Sequence, residues 1–523
     1  MIPAIRHLRR LNEIAATLAR HDALFLLDEL PLPPAVLMAW RAYAALPRRP
    51  ESVGHPPGVR LANACMALGP TFIKLGQLLS VRPDVVGTEV AAALGRLRDR
   101  LPPFPFADAQ LLIEAELGQP LDALFLSVDR QPVAAASIAQ VHFAVTADGR
   151  PVAIKLLRPG VEATFRRDLD LFEWLAGLAE RLAPRLRRLR PLSVVATLRE
   201  SVMLELDLRL EAAAAAELAE NFAADDDFRV PLVDWQRTAK RVMTMERIDG
   251  LPVDDIVGLA AAGHDLQELS AKVIRAFLKQ AMQDGFFHAD LHHGNLFVDR
   301  NGRLVAVDFG IMGRLDRATR RFMAEMLHGF LTGDYVKVAE VHFAAGYVPP
   351  DRSVPLFAQA ARAIGEPILG RPVTEISVGR LLGQLFEVTE LFGMRTQPHL
   401  LLLQKTMVTV EGVARSLDPQ VNFWEVSRPV VESWMGDLVG PGAVKEWVGY
   451  GRRLVRRLPM LVERLDQIDR LIGENGGVRL DDDSTRRLAQ AIADANRGQR
   501  WMGWAIVVLL MTVLVMTVYA YWS

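Results

Sequence analysis

Apolar positions along the chain change period several times, and each change predicts an element boundary. Over residues 60–100 they recur three and four apart, as in Thr71-Phe-Ile-Lys-Leu-Gly-Gln-Leu-Leu-Ser80, and the block closes at Leu101-Pro-Pro-Phe-Pro105. That spacing predicts helices. From Phe125 the pattern alternates instead: a run from Pro132 through Val145, an Asp148-Gly149 turn and Pro151-Val-Ala-Ile-Lys-Leu-Leu157 predict a β-hairpin. Helical spacing returns over residues 161–222, broken near Pro184 and Pro191. Strand candidates at residues 228–233 and 242–246 lead through Ile248-Asp-Gly250 into a helical region reaching about Asp418. Residues 458–471 read as a further amphipathic helix, and Gly473-Glu-Asn-Gly-Gly477 separates it from the C-terminal segment.

That last segment carries no charge from Trp504 to Trp522 and is bracketed by Trp501, Trp504, Tyr519, Tyr521 and Trp522. An apolar run with aromatic belts predicts a single transmembrane helix. Arg497 and Arg500 precede it and nothing basic follows, so the body is expected on the cytoplasmic side. No signal peptide is expected, because Arg6, Arg9, Arg10, Glu13, Arg20 and Asp22 interrupt the first residues. The expected domains are a helical segment and linker (1–59), a helical extension (60–124), a small lobe with inserted helices (125–250), a large lobe (251–440), basic amphipathic helices (441–500) and the anchor (501–523). Arg452, Arg453, Arg456 and Arg457 form a stripe near the anchor that suits anionic lipid.

Composition narrows the function classes. The 61 Lys and Arg nearly balance 62 Asp and Glu, so no global charge argues for a nucleic-acid partner, and none is expected. One cysteine, Cys65, excludes an intrachain disulfide and a cysteine-built metal site. With only 7% aromatics and long alanine runs, helix should dominate.

The chemistry lies in four short pieces whose order matters more than any one of them. Val152-Ala-Ile-Lys155 precedes His288-Ala-Asp290, Asn295 and Asp308-Phe-Gly310. Phosphoryl transfer from ATP needs these parts: Lys155 on the phosphates, Asp290 on the attacking group, and Asn295 and Asp308 as oxygen ligands for Mg²⁺. The predicted fold class is therefore α+β, a protein-kinase-like two-lobe fold. Lys155 needs a carboxylate partner on a helix, and Glu205, Asp207 and Glu211 are the candidates. His288 reads as an anchor of its loop rather than as part of a metal site with His292 and His293. Where a glycine-rich loop would cover the phosphates, Ala134-Ala-Ala-Ser137 stands, with less backbone freedom. No Ala-Pro-Glu follows Asp308, so a long activation segment is not expected.

Lys74-Leu-Gly76-Gln77 within Phe72–Asp84, the alanine-rich loop, Val152 through Val161, Glu205-x-Asp207 and His288-Ala-Asp290 together resemble the UbiB family of atypical kinases, also called the AarF family. The resemblance implies that the helical extension lies across the active site. Lys74 and Gln77 would then face Glu205 and Asp207 as regulatory residues. It makes Glu211 the helix-borne partner of Lys155, and Ala134, Ala135, Ala136 and Ser137 the nucleotide-covering loop. It also implies ATP and Mg²⁺ as cofactors, a bacterial inner-membrane location and support of ubiquinone biosynthesis. The acceptor would be a quinone precursor or another membrane lipid, and quinone-biosynthesis enzymes are possible partners. The competing expectation is a nucleotide-binding pseudokinase that serves those enzymes as a scaffold.

Overall fold

Alternation along Pro151–Leu157 sends Val152, Ile154 and Leu156 into a core and leaves Lys155 on the opposite face of its strand, so the position of the candidate lysine follows from the pleat. A computed structural model describes residues 3–25, 54–80, 86–95, 97, 101–182, 191–369, 388, 391–394 and 398–439. The chain separates into two compact units, Met1–Pro34 with Trp40–Gly436, and Ala35–Ala39 with Asp437–Ser523. The amphipathic helices expected over 441–500, the arginine stripe and the span expected over 501–523 lie outside the described residues. Among the described helices none is long and apolar enough to cross a membrane.

Helices α1 (Pro3–Arg20), α2 (Pro57–Leu68), α3 (Pro70–Ser80) and α4 (Thr88–Leu94) come first. Leu61, Leu68, Phe72 and Leu94 bury together with Leu171 of α6 (Val161–Leu182), which joins this layer to the helices inserted after the hairpin. Arg10 and Asp168 strengthen that join with a buried two-pronged pair at 2.9 and 2.8 Å. Cys65 lies in this core, and burial pushes its thiol up to about 12, so it is an inert packing residue.

Helix α5 (Phe106–Leu117) departs from the expected boundary at residue 125. Its Ala109, Leu112 and Ile113 pack on Val152, Ile154, Leu156 and Val242, so α5 completes the core of the small lobe rather than the extension. The lobe's five-stranded sheet has the order β1 (Phe125–Val128), β3 (Ala139–Thr146), β4 (Pro151–Leu157), β6 (Val242–Glu246), with β2 (Ala134–Ala135) also on β3. The predicted hairpin is β3–β4, antiparallel from Ala139↔Leu157 to Val145↔Pro151. Gly149 closes its turn at φ +81°, a conformation that suits glycine. The first arm is not one strand, however: a tight turn with Ala136 N–H donating to the Ala139 carbonyl at 2.8 Å folds β2 back onto β3.

After α6 come α7 (Pro191–Glu205) and α8 (Leu208–Asn221). Strand β5 covers only Phe228–Arg229, shorter than expected. Pro231 has no N–H to continue a ladder, and Val233 keeps just an isolated bridge to Met245. In the large lobe a four-stranded sheet runs β5, β10 (Leu304–Ala306), β9 (Leu296–Asp299), β7 (Gly250–Pro252). Strand β8 (Phe286–His288) pairs antiparallel with β11 (Met312–Arg314), which places the loop after β8 beside the segment that leads into β11, with Ala289 N–H donating to the Ile311 carbonyl at 2.9 Å. Helix α9 (Leu266–Leu278) lies against a later helix, α13 (Pro398–Leu417), tied by Ser270 Oγ donating to the Ala414 carbonyl at 2.8 Å. Between them come α10 (Arg317–Thr332), which begins directly after β11, then α11 (Tyr335–Ala344) and α12 (Val354–Leu369).

Candidate active site

Three charged side chains from distant elements meet at the lobe junction. Lys155 Nζ on β4 lies 2.6 Å from Glu211 Oε1 on α8 and 2.8 Å from Asp308 Oδ1. Burial alone works against the lysine's charge, but the two carboxylates outweigh it and hold the ammonium well above its usual pKa. Asp308 shows the reverse balance. Desolvation at the lobe junction opposes its ionisation although half of its side chain stays exposed, yet Lys155, with Lys74 beyond it, keeps the carboxyl far below the usual range. Glu211 is raised, because burial and repulsion from Asp308 exceed the attraction of Lys155. The backbone N–H of Phe309 also bonds Glu211, tying α8 to the Asp308 segment. Asp308 itself sits at φ +63°, a left-handed conformation that aspartate tolerates better than most residues. Of the three acids offered by the sequence, Glu211 is the one brought to Lys155.

Hydrogen bonds fix the neighbouring loop and define its histidine. His288 is fully buried. Its N–H donates to Gln280 Oε1 at 2.9 Å, its Nδ1 accepts the Asp290 N–H at 3.1 Å, and Nε2 reaches the Val307 carbonyl at 3.0 Å. Nδ1 must therefore be bare and Nε2 protonated, a neutral ring, and burial lowers the pKa in the same sense. Phe309 packs on that ring at 5.5 Å. Asn295 donates from Nδ2 to the Asp290 carbonyl at 3.1 Å, which uses the amide donor and leaves Oδ1 as an acceptor.

The donor set suits Mg²⁺. Asp308 and Asn295 supply hard oxygens, and no cluster of three or more His, Cys, Asp or Glu stands ready for a metal among the described residues. Two protein oxygens are what a magnesium ion needs when phosphates and water complete its shell.

The extension reaches the same region. Lys74 Nζ on α3 lies 2.6 Å from Glu205 Oε2 at the end of α7, with both side chains about 10% exposed. Gly76 packs inside the extension, where a Cβ would run into the end of the Leu97 side chain. Gln77 is partly buried one turn along α3. Asp207 does something else. Its carboxylate caps α8 by accepting the Arg209 N–H at 3.1 Å and pairs with the Arg209 guanidinium at 2.6 Å, and that bonding holds its pKa low. Of the two acids expected near Lys74, Glu205 makes the pair, while Asp207 begins the next helix and serves as its cap.

The alanine-rich segment lies beside Lys155 in register: Ala134 faces Val141, which faces Lys155. Ala135 pairs with Gln140, Ala136 makes the turn, and Ser137 is fully buried. Arg158, within the Val152–Val161 stretch but given no role of its own from the sequence, straps this loop by donating to the carbonyls of Ala136 at 2.9 Å, Pro102 at 2.9 Å and Leu101 at 3.2 Å. Sequence reasoning expected helix as far as about Asp418 but gave α13 no place at the site. Thr406 Oγ1 donates to the Ala289 carbonyl at 3.1 Å, and Lys405 Nζ lies 3.5 Å from Asp290 Oδ1. The faint signal was a lysine and a threonine inside the apolar run around Leu403 and Met407.

The chain is similar to known proteins over most of its length. Residues 96–342 match the ABC1 atypical kinase-like domain, and residues 361–422 match the UbiB helical domain. A protein named probable protein kinase UbiB from Marinobacter nauticus is 39% identical over 89% of this chain and 84% of its own length. A protein of the same name from Aeromonas salmonicida is 41% identical over 86% and 82%, and one from Xanthomonas axonopodis 42% over 81% and 77%. A Mycobacterium tuberculosis protein, solved as the Rv3197–erythromycin complex, is 26% identical with a TM-score of 0.50, covering 69% of this chain and 92% of that one.

Proposed function

The chain belongs to the UbiB family of ABC1-type atypical kinases, a kinase-like family implicated in ubiquinone biosynthesis, and from that premise we propose a membrane-anchored kinase or ATPase that uses Mg-ATP. The observation that carries the proposal is the convergence of Lys155, Glu211 and Asp308 beside a loop whose Asp290 and Asn295 are held by hydrogen bonds. Lys155 grips the nucleotide phosphates, with Glu211 as its lasting anchor. The Asp308 carboxylate and Asn295 Oδ1 would hold the cation, a role open to Asp308 once it is no longer paired with Lys155. Bound Mg²⁺ supplies charge compensation at the transferring phosphoryl group. Asp290 orients the attacking hydroxyl or water and takes its proton.

A lipid-like quinone precursor is the acceptor we favour. The Lys74–Glu205 contact brings the extension to the site, and α10 begins at Arg317, leaving little segment to hold a protein substrate. The uncharged segment ending at Trp522 would keep the site near the bilayer, with the body cytoplasmic. The test uses the full chain in vesicles, measuring Mg-dependent ATP turnover with and without phenolic quinone precursors, alongside quinone levels in a deletion strain complemented by wild type or Asp308→Asn. Nucleotide binding without turnover would overturn the catalytic reading. Normal quinone in the deletion strain would overturn the pathway.

A further inference from the structure

Between Asp290 and Asn295 the loop carries Leu291, His292, His293 and Gly294, hence no lysine or arginine of its own. Phosphoryl transfer gathers negative charge beside the residue that orients the attacking group, and a fixed cation there both offsets the charge and aims the carboxylate. Lys155 does not fill that place, being held by Glu211 and Asp308. The geometry supplies the cation from outside the loop. Lys405 on α13 sets Nζ 3.5 Å from one oxygen of Asp290, while His292 Nε2 lies 3.7 Å from the other. Lys405 and Asp290 are 42% and 30% exposed, so the pair is open to solvent rather than sealed in the core.

An exposed ion pair between two mobile side chains contributes little. This one differs in how its backbones are held. Thr406, the next residue, shares its one hydroxyl hydrogen between the Leu402 carbonyl of its own helix at 2.8 Å and, at 3.1 Å, the carbonyl of Ala289, the residue before Asp290. Farther along the same helix Ser416 Oγ meets His293 Nε2 at 2.9 Å, beyond Asp290 on the loop. Helix α13 is therefore stitched to the loop on both sides of the acid and to α9 through Ser270. Such stitching sets the reach of Lys405 to Asp290 before any substrate arrives.

We propose that Lys405 is a positioning residue for phosphoryl transfer: it aims the Asp290 carboxylate at the attacking group and supplies the positive charge that the loop lacks. The proposal rests on the kinase reading above and makes the helical region after the kinase core part of the active site. Full-length wild type, Lys405→Met and Lys405→Arg are compared in vesicles for ATP turnover, KM, Mg-ADP affinity and melting temperature. Lys405→Met should lower kcat about 10- to 100-fold, as misplacing a reacting group does. KM for ATP and Mg-ADP affinity should stay within about twofold, because the lysine acts on the chemical step. Lys405→Arg should recover much of the rate, since it keeps the charge. Unchanged kcat in Lys405→Met overturns the role of the lysine while leaving the kinase reading intact. Equal losses in the Met and Arg variants together with a lowered melting temperature overturn it in favour of packing. A wild-type chain that binds Mg-ATP and never turns it over overturns both.

Discussion

Replacing Glu211 by glutamine should leave stability nearly unchanged and remove most activity. At 2.6 Å and an effective dielectric of about 20, the raw attraction between Lys155 and Glu211 is about 6 kcal/mol. Burial is the larger influence on Glu211, and with repulsion from Asp308 it raises the carboxyl above its ordinary pKa in spite of Lys155. A carboxyl raised by folding contributes stability that is complete below its unfolded pKa and fades as pH rises through the folded value. A glutamine of the same shape removes the ionisable group that burial disfavours, can still accept from Lys155, and leaves the ammonium Asp308 as its counter-charge, so stability should change by about 1 kcal/mol or less. In melting temperature that is a shift within about 2–4 °C. Turnover should fall about 100-fold, because Lys155 would then keep Asp308 as its one carboxylate and withhold it from the cation. The pH dependence gives a second reading. Asp308 is lowered by Lys155, against burial, so its contribution is present above its unfolded pKa and lost as pH falls through the folded value. That acid-side loss should persist in Glu211→Gln, whereas the decline in stability on raising pH above the ordinary carboxylate range should shrink. Melting curves across pH, with ATP turnover per folded molecule, check both. A drop of more than about 10 °C with unchanged turnover per folded molecule would refute the reasoning and make the pair structural.

Asp308→Asn should reduce Mg-dependent ATP turnover about 100-fold or more in a folded protein, and wild-type-like hydrolysis would remove this residue from the chemistry. Lys74→Ala breaks a mostly buried pair from one side, a change that costs about 3 kcal/mol, and should loosen the extension so that autophosphorylation rises while quinone output falls. Unchanged values in both assays would make Lys74 an ordinary helix residue. Val513→Arg should weaken membrane insertion by roughly 2.5 to 3.5 kcal/mol and truncation after Arg500 should release the chain from membranes, with nucleotide binding retained in each. Resistance of the truncated chain to carbonate extraction would place the anchor elsewhere.

Local rules made much of the site readable in advance. The β3–β4 hairpin followed from alternation and the Asp148-Gly149 turn, because a pleat and a positive φ at Gly149 are properties of adjacent residues. The order of Lys155, Asp290, Asn295 and Asp308 was visible for a similar reason: each piece is a short motif whose spacing its chemistry constrains. Local information also named three acids for Lys155, and there its reach ended. Helix phase says which residues share a face, not which helix that face will meet.

Tertiary structure made the remaining choices. It took Glu211 to Lys155 and Glu205 to Lys74, and it used Asp207 as a helix cap, although all three acids lie close together in sequence. It moved α5 into the small lobe because that helix's apolar face covers the sheet at Val152 and Ile154, a match of surfaces that periodicity cannot express. It brought Lys405 to Asp290 through Thr406 and Ser416, residues that look like an ordinary interruption of an apolar helix. The sequence by itself determined that the chain carries kinase-type motifs and which segments bear them. Only the packing of α3, α8 and α13 around one cleft decided which charges compensate one another, since a buried charge takes its partner from whatever the fold sets within a few ångströms.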